Sequence, residues 1–481
     1  MTTDIAELDG LFVRQRSGFA AEGPPSLDTR RRRIDLLVSA LLDGADDLAA
    51  AIAADFGTRA RSLSISTDIF GSLVDIAHTR AHVSRWMSPS KVARSASIAR
   101  LHASIQAQPL GVVGVVAPWN FPINLAVVPA ASALAAGNRV MIKMSEKTPR
   151  TAELFAALVS QRFSADVLTV VTGGPEVADA FTTLAFDHLF FTGSAQIGRR
   201  VMHRAADNLV PVTLELGGKN PAVVGPGADI GEAAARIARA RLTNAGQICL
   251  CPDYAFVPTA QIGEFVNQTV AAVRKAYPSV VDNDQYCSVV DEASFDRITR
   301  LINEARAGGA TAVEIVPPGE ILPDRVTRKI APTLLTGVTP QMRISREEVF
   351  GPVLAVHGYD DIRHVIDYVN SHPSPLAAYW YGPHNAEFEH FCHRTRSGGV
   401  TRNDFSLHAA LPSLPFGGVG ESGMGSYHGK AGFDTFSHRR AIAESDLPFS
   451  VTDLTALAPV AAMVAVMLRG YGWLTKLRIR D

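Results

Sequence analysis

The 481-residue sequence predicts an α/β protein whose middle part forms a parallel β-sheet with helices on both faces. Short apolar segments alternate with helix-like segments between residues 112 and 216, as in successive right-handed βαβ units. Hydrophobic residues make up 47% of the chain and charged residues 19%, which is typical of a well-packed globular protein. At roughly 150 residues per domain, the length corresponds to about three domains or two large ones.

The N-terminal region, to about residue 105, is predicted to be helical. Apolar residues such as Ile34, Leu37 and Leu41 recur at the spacing of one helix face. The basic run Arg30 to Arg33 directly precedes them. We interpret this run as the solvated start of an amphipathic helix, in preference to a localisation signal or a phosphate-binding patch.

The middle of the chain predicts strands at Val112–Val116, Val140–Lys143, Val167–Thr172, His188–Thr192 and Val212–Leu216. Between them, helices are predicted at Leu125–Ala136, Ala152–Phe163, Val177–Leu184 and Ile197–Ala206. Ligands of parallel sheets bind beyond the carboxyl ends of the strands, so we expect the loops after these strands to carry the chemistry.

A second α/β block is predicted from about residue 222 to 400, after a boundary at 216–221. Its predicted helices are Ile230–Leu242 and Ile262–Ala276, and its strands lie near Val353–Val356 and Ala377–Tyr381. A glycine-rich stretch, from Pro415 to Gly425, then leads into the C-terminal segment.

The charge balance and the cysteine content exclude several functions. The chain has 46 Lys and Arg against 47 Asp and Glu, and therefore no net field that would attract nucleic acid or anionic lipid. Its four cysteines are too scattered for a disulfide framework, and no His/Cys cluster has zinc spacing, so no metal site is expected. Residues 1–7 lack the features of a signal peptide, and we expect a cytoplasmic protein.

The tail from Leu454 to Leu468 carries no charge and is followed by basic residues. It is shorter than the ~20 residues needed to cross a bilayer, and Pro459 interrupts it. We expect it to dock against the body of the chain or a partner subunit, in preference to contact with a membrane surface. No stable membrane insertion is expected.

Two loops after predicted strands carry residues suited to a dinucleotide. The segment from Gly193 to Gly198 opens a helix and suits a phosphate, but it matches neither GxGxxG nor a P-loop, and a plain strand-to-helix turn is the alternative. Lys143 and Glu146 suit ribose hydroxyls, the carboxylate favouring a free 2′-OH over a 2′-phosphate. A surface ion pair is the alternative interpretation of this pair.

Candidate catalytic residues also lie at the ends of predicted helices and strands. Cys249 comes after Gly246-Gln247, which permits the close backbone approach of an oxyanion site, although a buried inert cysteine is the alternative. Cys251 is interpreted as a packed core thiol. Glu215 ends an apolar strand and suits a general base, with Glu348 as a second candidate; a structural carboxylate is the alternative for each.

Together these segments resemble the aldehyde dehydrogenase superfamily over nearly the whole chain. The segments that carry the resemblance, in the order and spacing of that family, are PWNFP (118–122), ELGGKNP (215–221), GQIC (246–249), EEVFGPV (347–353) and PFGG (415–418). The ending from Pro415 to Lys430, with Phe436 to Arg440, is similar to the class 3 branch. The segments Asp55 to Arg59 and Trp86-Met87 are similar to coniferyl aldehyde dehydrogenases.

The resemblance implies a Rossmann-type parallel-sheet cofactor domain, an α/β catalytic domain and a small oligomerisation element. The NAD-binding domain would comprise residues 1–216, with about 90–110 contributing to the oligomerisation element, and the catalytic domain residues 217–405. Residues 406–481 would return to the cofactor domain and end in a C-terminal oligomerisation or tail segment. A homodimer is the implied assembly.

By the same resemblance, Cys249 is the nucleophile, Glu215 the general base, and Asn120 the donor of an oxyanion-hole amide. The residues implied to bind the cofactor, NAD with NADP as the alternative, are Trp119, Lys143, Glu146, Gly193, Ser194, Gly198, Glu348 and Phe350. The implied function is oxidation of an aromatic, coniferyl aldehyde-like substrate to the carboxylic acid, through a thiohemiacetal and a thioester on cysteine.

Three residues depart from the usual pattern of that family: Met144 for a proline, Gln196 for a glutamate and Cys251 for an alanine. None of them belongs to the catalytic trio. The competing functions are oxidation of long-chain or other aliphatic aldehydes, acyl transfer to CoA, a cofactor-free thiol esterase, and a catalytically inactive binding or structural homologue.

Overall fold

The computed structural model describes residues 3–91, 101–446, 448, 450, 452 and 458–479. The chain divides into two compact units, one formed by residues 1–87 and 108–438 and the other by 88–107 and 439–481.

The strands, in chain order, are β1 (Ser90–Lys91), β2 (Leu101–Pro109), β3 (Val112–Val116), β4 (Arg139–Lys143), β5 (Leu168–Val171), β6 (His188–Thr192), β7 (Val212–Glu215), β8 (Asn220–Val224), β9 (Pro252–Pro258), β10 (Thr311–Glu314), β11 (Thr333–Thr336), β12 (Val353–Tyr359), β13 (Ala377–Tyr381), β14 (Gly399–Arg402), β15 (Gly423–Met424) and β16 (Ser437–Ser445).

The α-helices are α1 (Ile5–Glu22), α2 (Leu27–Asp43), α3 (Ala45–Phe56), α4 (Arg61–Ser64), α5 (Ser72–Met87), α6 (Asn124–Ala136), α7 (Pro149–Ser160), α8 (Pro175–Thr182), α9 (Ala195–Ala206), α10 (Ile230–Leu242), α11 (Ile262–Ala276), α12 (Glu292–Ala307), α13 (Ile362–Asn370), α14 (Ala386–Arg394), α15 (Leu407–Ala410), α16 (Gly429–Thr435) and α17 (Ala458–Arg478).

Two sheets organise the larger unit. The first has the order β15-β7-β6-β3-β4-β5 and is parallel except for β15, and the second has the order β10-β11-β12-β9-β8-β13-β14 and is parallel except for β10. Strands such as β3 and β6 are buried along their whole length, as expected where helices cover both faces. The predicted α/β class with a parallel sheet is confirmed, and the chain passes from the first sheet to the second at residues 216–219.

The prediction that the chain is helical to about residue 105 is wrong at Ser90–Lys91 and from Leu101 onward, where strands occur, while residues 92–100 lie outside the described residues. Strand β2 occupies Leu101–Pro109 and lies between β1 and β16 in a three-stranded sheet. Its residues alternate apolar and polar from Leu101 and His102 onward, which is the period of a half-exposed strand and not of a helix. The alanine content of this region resembled that of the preceding helices and obscured the change of period.

The basic run at the start of α2 is only partly solvated, which corrects its interpretation. Arg30 and Arg33 are buried, while Arg32 is exposed. The Arg30 guanidinium donates to the carbonyls of Ala135 and Ala136, at 3.0 and 2.7 Å. These carbonyls end α6 and have no partner within the helix, so a cation there satisfies them and favours the helix dipole.

Helix α17 leaves its side chains in solvent. None of its residues is buried, and Met467, Leu468, Tyr471 and Trp473 are each more than half exposed. The described part of the tail is therefore exposed along its length, and its docking stays a prediction. Among the described residues, no helix is long and apolar enough to span a bilayer.

Candidate active site

A cavity of about 450 Å³ in the larger unit contains the thiol of Cys249 in its wall. A π-helical stretch, Ile65–Gly71, contributes to it together with α5, α6 and the loops around residues 249, 405 and 427. Such stretches frequently occur at functional sites. The side chains of the lining are mainly apolar: Phe70, Val74, Phe121, Leu125, Val128, Ile248, Leu250, Phe405, Pro412, Phe416 and Tyr427.

The loop that carries Cys249 is held in a constrained backbone conformation. Asn244, Ala245 and Gly246 all have positive φ, of 51°, 51° and 75°. Non-glycine residues adopt this region at a cost of roughly 1–3 kcal/mol, so the surrounding packing must enforce it. The buried Asn220 side chain supplies part of that constraint, since it donates to the Cys249 carbonyl at 2.7 Å.

Asn120 lies beside the same loop. Its side-chain nitrogen donates to the carbonyl of Gln247 at 3.1 Å, two residues before Cys249. Its own carbonyl accepts from Arg59 at 2.7 Å and from Asn244 at 3.2 Å. The backbone of Asn120 is therefore fixed independently of its side chain, and one N–H of the amide stays free of the Gln247 bond.

A buried ion pair that the sequence did not indicate supports Asn120. The guanidinium of Arg59 lies 2.7 Å from the carboxylate of Asp68, and both side chains are fully buried. Asp68 also accepts from the backbone N–H groups of Ile123 and Asn124, at 3.1 and 3.3 Å. Asp68 thus binds the start of α6, while Arg59 binds the Asn120 carbonyl. Arg59 lay within a segment quoted for the family resemblance, but nothing local linked it to Asp68.

Glu215 ends β7 inside the protein. The residue is 2% exposed, and neither carboxylate oxygen makes a hydrogen bond of good geometry with the described residues. Burial raises the pKa of this carboxyl well above its usual range, opposed only in part by the Gly418 backbone N–H. A carboxylate with a raised pKa is a stronger base once it ionises, which suits proton abstraction near neutral pH.

Glu348 and Cys249 also titrate abnormally. Burial raises the pKa of Glu348 to about 8, and the charge of Asp253 adds to the shift. Burial is also the main cause of a raised pKa for the Cys249 thiol, followed by the charges of Glu348 and Glu215. The two carboxyls are therefore close enough to act on the nucleophile candidate, and the free protein holds it as a thiol at neutral pH.

A second buried network fixes the loop that carries Glu348. The Lys219 ammonium donates to the Asp253 carboxylate and to the carbonyl of Glu347, the latter at 3.1 Å. Arg241 lies 3.1 Å from the same Asp253, which also accepts from the Val349 N–H. Lys219 lies within the segment 215–221 that resembles the family, but nothing local in the sequence indicated this network.

The carboxyl end of β4 carries Lys143 and Glu146. The Lys143 side chain is 1% exposed, and its ammonium donates to the carbonyls of Met144 and Gly173, at 2.7 and 2.8 Å. Desolvation lowers the pKa of this lysine, and the charges of Glu146 and Glu176 oppose the shift. Glu146 itself is exposed. Glu176, on the neighbouring α8, was not predicted from the sequence.

The turn from Gly193 to Gly198 connects β6 to α9. Ser194 caps the helix, its hydroxyl accepting from the Ile197 N–H, and it is exposed to solvent. A Cβ on Gly198 would lie 2.8 Å from a methyl group of Leu216, so this glycine permits close packing of α9 on the sheet. The open N-terminus of a twelve-residue helix at a sheet edge is a favourable place for a phosphate.

The rings of Trp119 and Phe350 lie against each other. Their ring centroids are 5.5 Å apart in an edge-to-face arrangement, and the Lys147 ammonium lies 5.5 Å from the Trp119 centroid. Phe350 has a φ of 48°, which is rare for an aromatic residue and orients its ring. Both side chains are half-buried and so present part of their surface to solvent.

The remaining cysteines are free thiols. Cys251 is buried, and its thiol donates to the Ala240 carbonyl at 3.3 Å. Cys287 is buried as well, with its thiol 3.3 Å from the Asn244 side-chain oxygen, whereas Cys392 is half-buried. Cys251 thus has the packed, hydrogen-bonded environment of a core thiol.

Comparison with known proteins agrees with this geometry. The sequence profile of the aldehyde dehydrogenase family matches residues 17–442. The coniferyl aldehyde dehydrogenase of a Pseudomonas species is 43% identical over 462 residues, which cover 96% of this chain and 95% of that protein. The dimeric, NADP-preferring aldehyde dehydrogenase of Rattus norvegicus is 35% identical over 444 residues, covering 91% and 94%. Substrate-bound Staphylococcus aureus AldH matches with a TM-score of 0.86 and 32% identity, covering 92% of this chain and 95% of that one.

The chain belongs to the aldehyde dehydrogenase family. Its activity is that of the family, the oxidation of an aldehyde to the carboxylic acid with NAD or NADP as the electron acceptor. The resemblance to coniferyl aldehyde dehydrogenases and to the class 3 branch, predicted from the sequence, is confirmed.

Proposed function

We propose that the enzyme oxidises aromatic aldehydes of the coniferyl aldehyde type, with Cys249 as nucleophile, Glu215 as general base and Asn120 as oxyanion donor. The observation that carries these roles is the cavity itself. Cys249 lies in its wall, Glu215 is close enough to shift the pKa of that thiol, and Asn120 is bonded two residues away.

An aldehyde becomes a competent hydride donor only when its carbon is tetrahedral. Attack by the Cys249 thiolate forms a thiohemiacetal, and the Asn120 amide with the backbone N–H of Cys249 stabilises its oxyanion. The nicotinamide coenzyme, when bound, supplies the acceptor for the hydride. The thioester that remains on Cys249 is then hydrolysed as Glu215 removes a proton from the attacking water.

The residues present fit a dinucleotide. Lys143 commits two of the three N–H groups of its ammonium to carbonyls, which leaves one for a ribose hydroxyl, and Glu146 lies exposed beside it. Gly193, Ser194 and Gly198 would hold the pyrophosphate at the open end of α9. Trp119, Glu348 and Phe350 would hold the nicotinamide end of the coenzyme. Gly217 leaves room for the Glu348 carboxylate, since a Cβ at this position would overlap that carboxylate.

An aromatic substrate suits the cavity because its wall is rich in aromatic and aliphatic side chains. Phe121, Phe405 and Phe416 offer ring faces and edges to a flat substrate. A relative with 43% identity is named for coniferyl aldehyde, which has such a ring. Higher kcat/KM for aliphatic aldehydes of similar length would contradict this choice and favour the aliphatic alternative.

Two variants test the mechanism. Cys249→Ala should abolish NADH formation from aldehyde, while isothermal titration still detects coenzyme binding. Glu215→Gln should produce one burst of NADH per active site and then stall, because the thioester forms but is not hydrolysed. Cys251→Ala is the matched control for the thiol, and it should retain most of the activity. Substantial turnover by Cys249→Ala would refute the assignment.

The proposal extends to domains and assembly. The first sheet and its helices would bind the coenzyme as residues 1–216, and residues 217–405 would form the catalytic domain. Residues 406–481 would return to the cofactor domain and end in a C-terminal oligomerisation or tail segment. Residues 90–110 would contribute with that segment to a homodimer, as suggested by the Rattus norvegicus relative described as dimeric. Four free cysteines are consistent with a reducing cytoplasm. Sedimentation of the full chain at micromolar concentration would test the dimer.

A further inference from the structure

The cavity beside Cys249 contains two buried polar side chains that the mechanism does not use, Asp75 and His428. Asp75 belongs to α5 and is 5% exposed, and neither of its carboxylate oxygens has a hydrogen-bond partner among the described residues. Nδ1 of His428 also has none, and it lies 3.8 Å from Asp75, too far for a direct hydrogen bond. Two unsatisfied polar groups thus share one part of a mainly apolar wall.

Such groups are costly to bury, so natural proteins seldom leave them without a role. Burial raises the pKa of Asp75 to about 7, and no cation among the described residues contributes to that shift. His428 adopts a φ of 72°, an unfavourable value for a side chain of its size. Its ring is stacked on that of Phe416 at a centroid distance of 5.4 Å and an interplanar angle of 30°. Burial lowers the pKa of His428, and the nearby Ala409 backbone opposes this shift.

Cys249, Tyr427 and the polar pair all line the same cavity. Tyr427 is close enough to both Cys249 and Asp75 that each acts on its pKa, whereas Asp75 is not among the groups that act on Cys249. The His428 ring contacts Tyr427 edge to face, at 4.3 Å between centroids. A substrate with its carbonyl at Cys249 and its body along the apolar wall would therefore bring its far end toward Asp75 and His428.

We propose that Asp75 and His428 determine substrate specificity by binding a hydroxyl group at the end of the aldehyde remote from the carbonyl. This proposal rests on the function proposed above and names the feature of the aromatic substrate that the enzyme recognises. A 4-hydroxyl on an aryl aldehyde can donate to the Asp75 carboxylate and can accept from the same group when it is protonated. It is both donor and acceptor, and so it can satisfy the pair in either protonation state of Asp75.

Other polar ends suit the site less well. A carboxylate would be repelled by Asp75 and would have to be desolvated without a cation beside it. An ammonium would need Asp75 ionised and both charges buried in an apolar wall, where desolvation opposes pairing. The titratable groups near the pair are Tyr427, the adjacent His408, and His78, which packs against Gly429. A neutral hydroxyl requires no buried charge pair.

The test compares two substrates that differ by one hydroxyl, 4-hydroxycinnamaldehyde and cinnamaldehyde. For the wild-type enzyme we expect kcat/KM to favour the hydroxylated aldehyde by about tenfold or more, because a site built for a hydroxyl discriminates against its absence. Asp75→Leu should bring the ratio to about one or below, with kcat for cinnamaldehyde nearly unchanged. Asp75→Asn replaces the carboxyl by an amide that can still form hydrogen bonds, and it should retain part of the preference. This variant keeps the test valid if the leucine variant does not fold.

Ser66→Ala is the matched control, since Ser66 lines the same cavity from the neighbouring π-helical stretch and carries a hydroxyl bonded to the Leu63 carbonyl. Its substrate ratio should equal that of the wild type. A ratio near one in the wild type, or a ratio unchanged in Asp75→Leu, would overturn the proposal while leaving Cys249-dependent aldehyde oxidation intact. Equal loss for both substrates in the Asp75 variants would assign Asp75 a structural role and also overturn it.

Two further outcomes separate the alternatives. If the wild type oxidises neither aryl aldehyde but oxidises aliphatic ones, the proposed substrate class fails, and with it the hydroxyl site. If 4-aminobutanal is preferred over butanal, and Asp75→Leu removes that preference, the pair binds an ammonium and the hydroxyl proposal is wrong.

Discussion

Truncation of Asn120 gives a direct test of the oxyanion assignment. The substitution Asn120→Ala removes the donor to the oxyanion and also the bond to the Gln247 carbonyl, which still accepts from Asn244 at 3.3 Å. The loop stays in place, because the Asn120 carbonyl remains bonded to Arg59 and Asn244 at 2.7 and 3.2 Å. One preorganised donor to a developing oxyanion contributes about 2.7–4 kcal/mol. We therefore expect kcat to fall by ~10²–10³-fold, with little change in the melting temperature.

Both chemical steps should slow, since thiohemiacetal formation and thioester hydrolysis each place negative charge on the same oxygen. Stopped-flow measurement of NADH fluorescence separates the first step from steady-state turnover. The control is Asn124→Ala, which removes a cavity-lining amide that donates to the Ser72 hydroxyl at 3.0 Å. A fall of less than tenfold for Asn120→Ala, or an equal fall for Asn124→Ala, would refute the reasoning.

Three further predictions concern charge. Asp68→Asn should destabilise the protein by about 3–5 kcal/mol, because it leaves the Arg59 guanidinium buried without a counter-ion. Thermal unfolding should show a clear fall in the melting temperature. The control Asp46→Asn, in an exposed ion pair, should change the melting temperature little. Because burial raises the pKa of Glu215, the fraction of its ionised base form increases at pH values well above those at which a carboxyl usually ionises. The rate of acyl-enzyme hydrolysis should therefore rise with pH in that range. A pH-independent hydrolysis rate would contradict this. Glu146→Gln should raise kcat/KM for NADP relative to NAD by about fivefold, as expected for ~1 kcal/mol between exposed charges, and an unchanged ratio would remove Glu146 from coenzyme selection.

Much of the fold followed from local patterns. The strands Val112–Val116, His188–Thr192 and Ala377–Tyr381 and the helices Ile230–Leu242 and Ile262–Ala276 occur at the predicted bounds. Buried parallel strands are short continuous apolar runs, and covering helices have a regular apolar period, so both can be recognised from neighbouring residues alone. Strand β2 was missed because alanines at its apolar positions are equally common in helices.

The order of the chemical residues was also evident in the sequence. Asn120, Glu215 and Cys249 stand in short segments that resemble one family in order and spacing. The Asn120 and Glu215 segments lie at the carboxyl ends of β3 and β7, whereas Cys249 lies in the connection from α10 to β9. Each segment is short and contiguous, so it can be recognised from neighbouring residues alone.

The buried charged groups that support the site or line its cavity are brought together only by the tertiary structure. Arg59 bonds the Asn120 carbonyl 61 positions further along the chain, and Asp75 meets His428, which lies near the other end of the chain. Whether such charged groups are solvated surface residues or buried partners depends on what packs over them, and burial changes both their pKa and their energetic importance. The sequence by itself determined the elements and the residues at their ends; only folding decided which charges are buried and what they face.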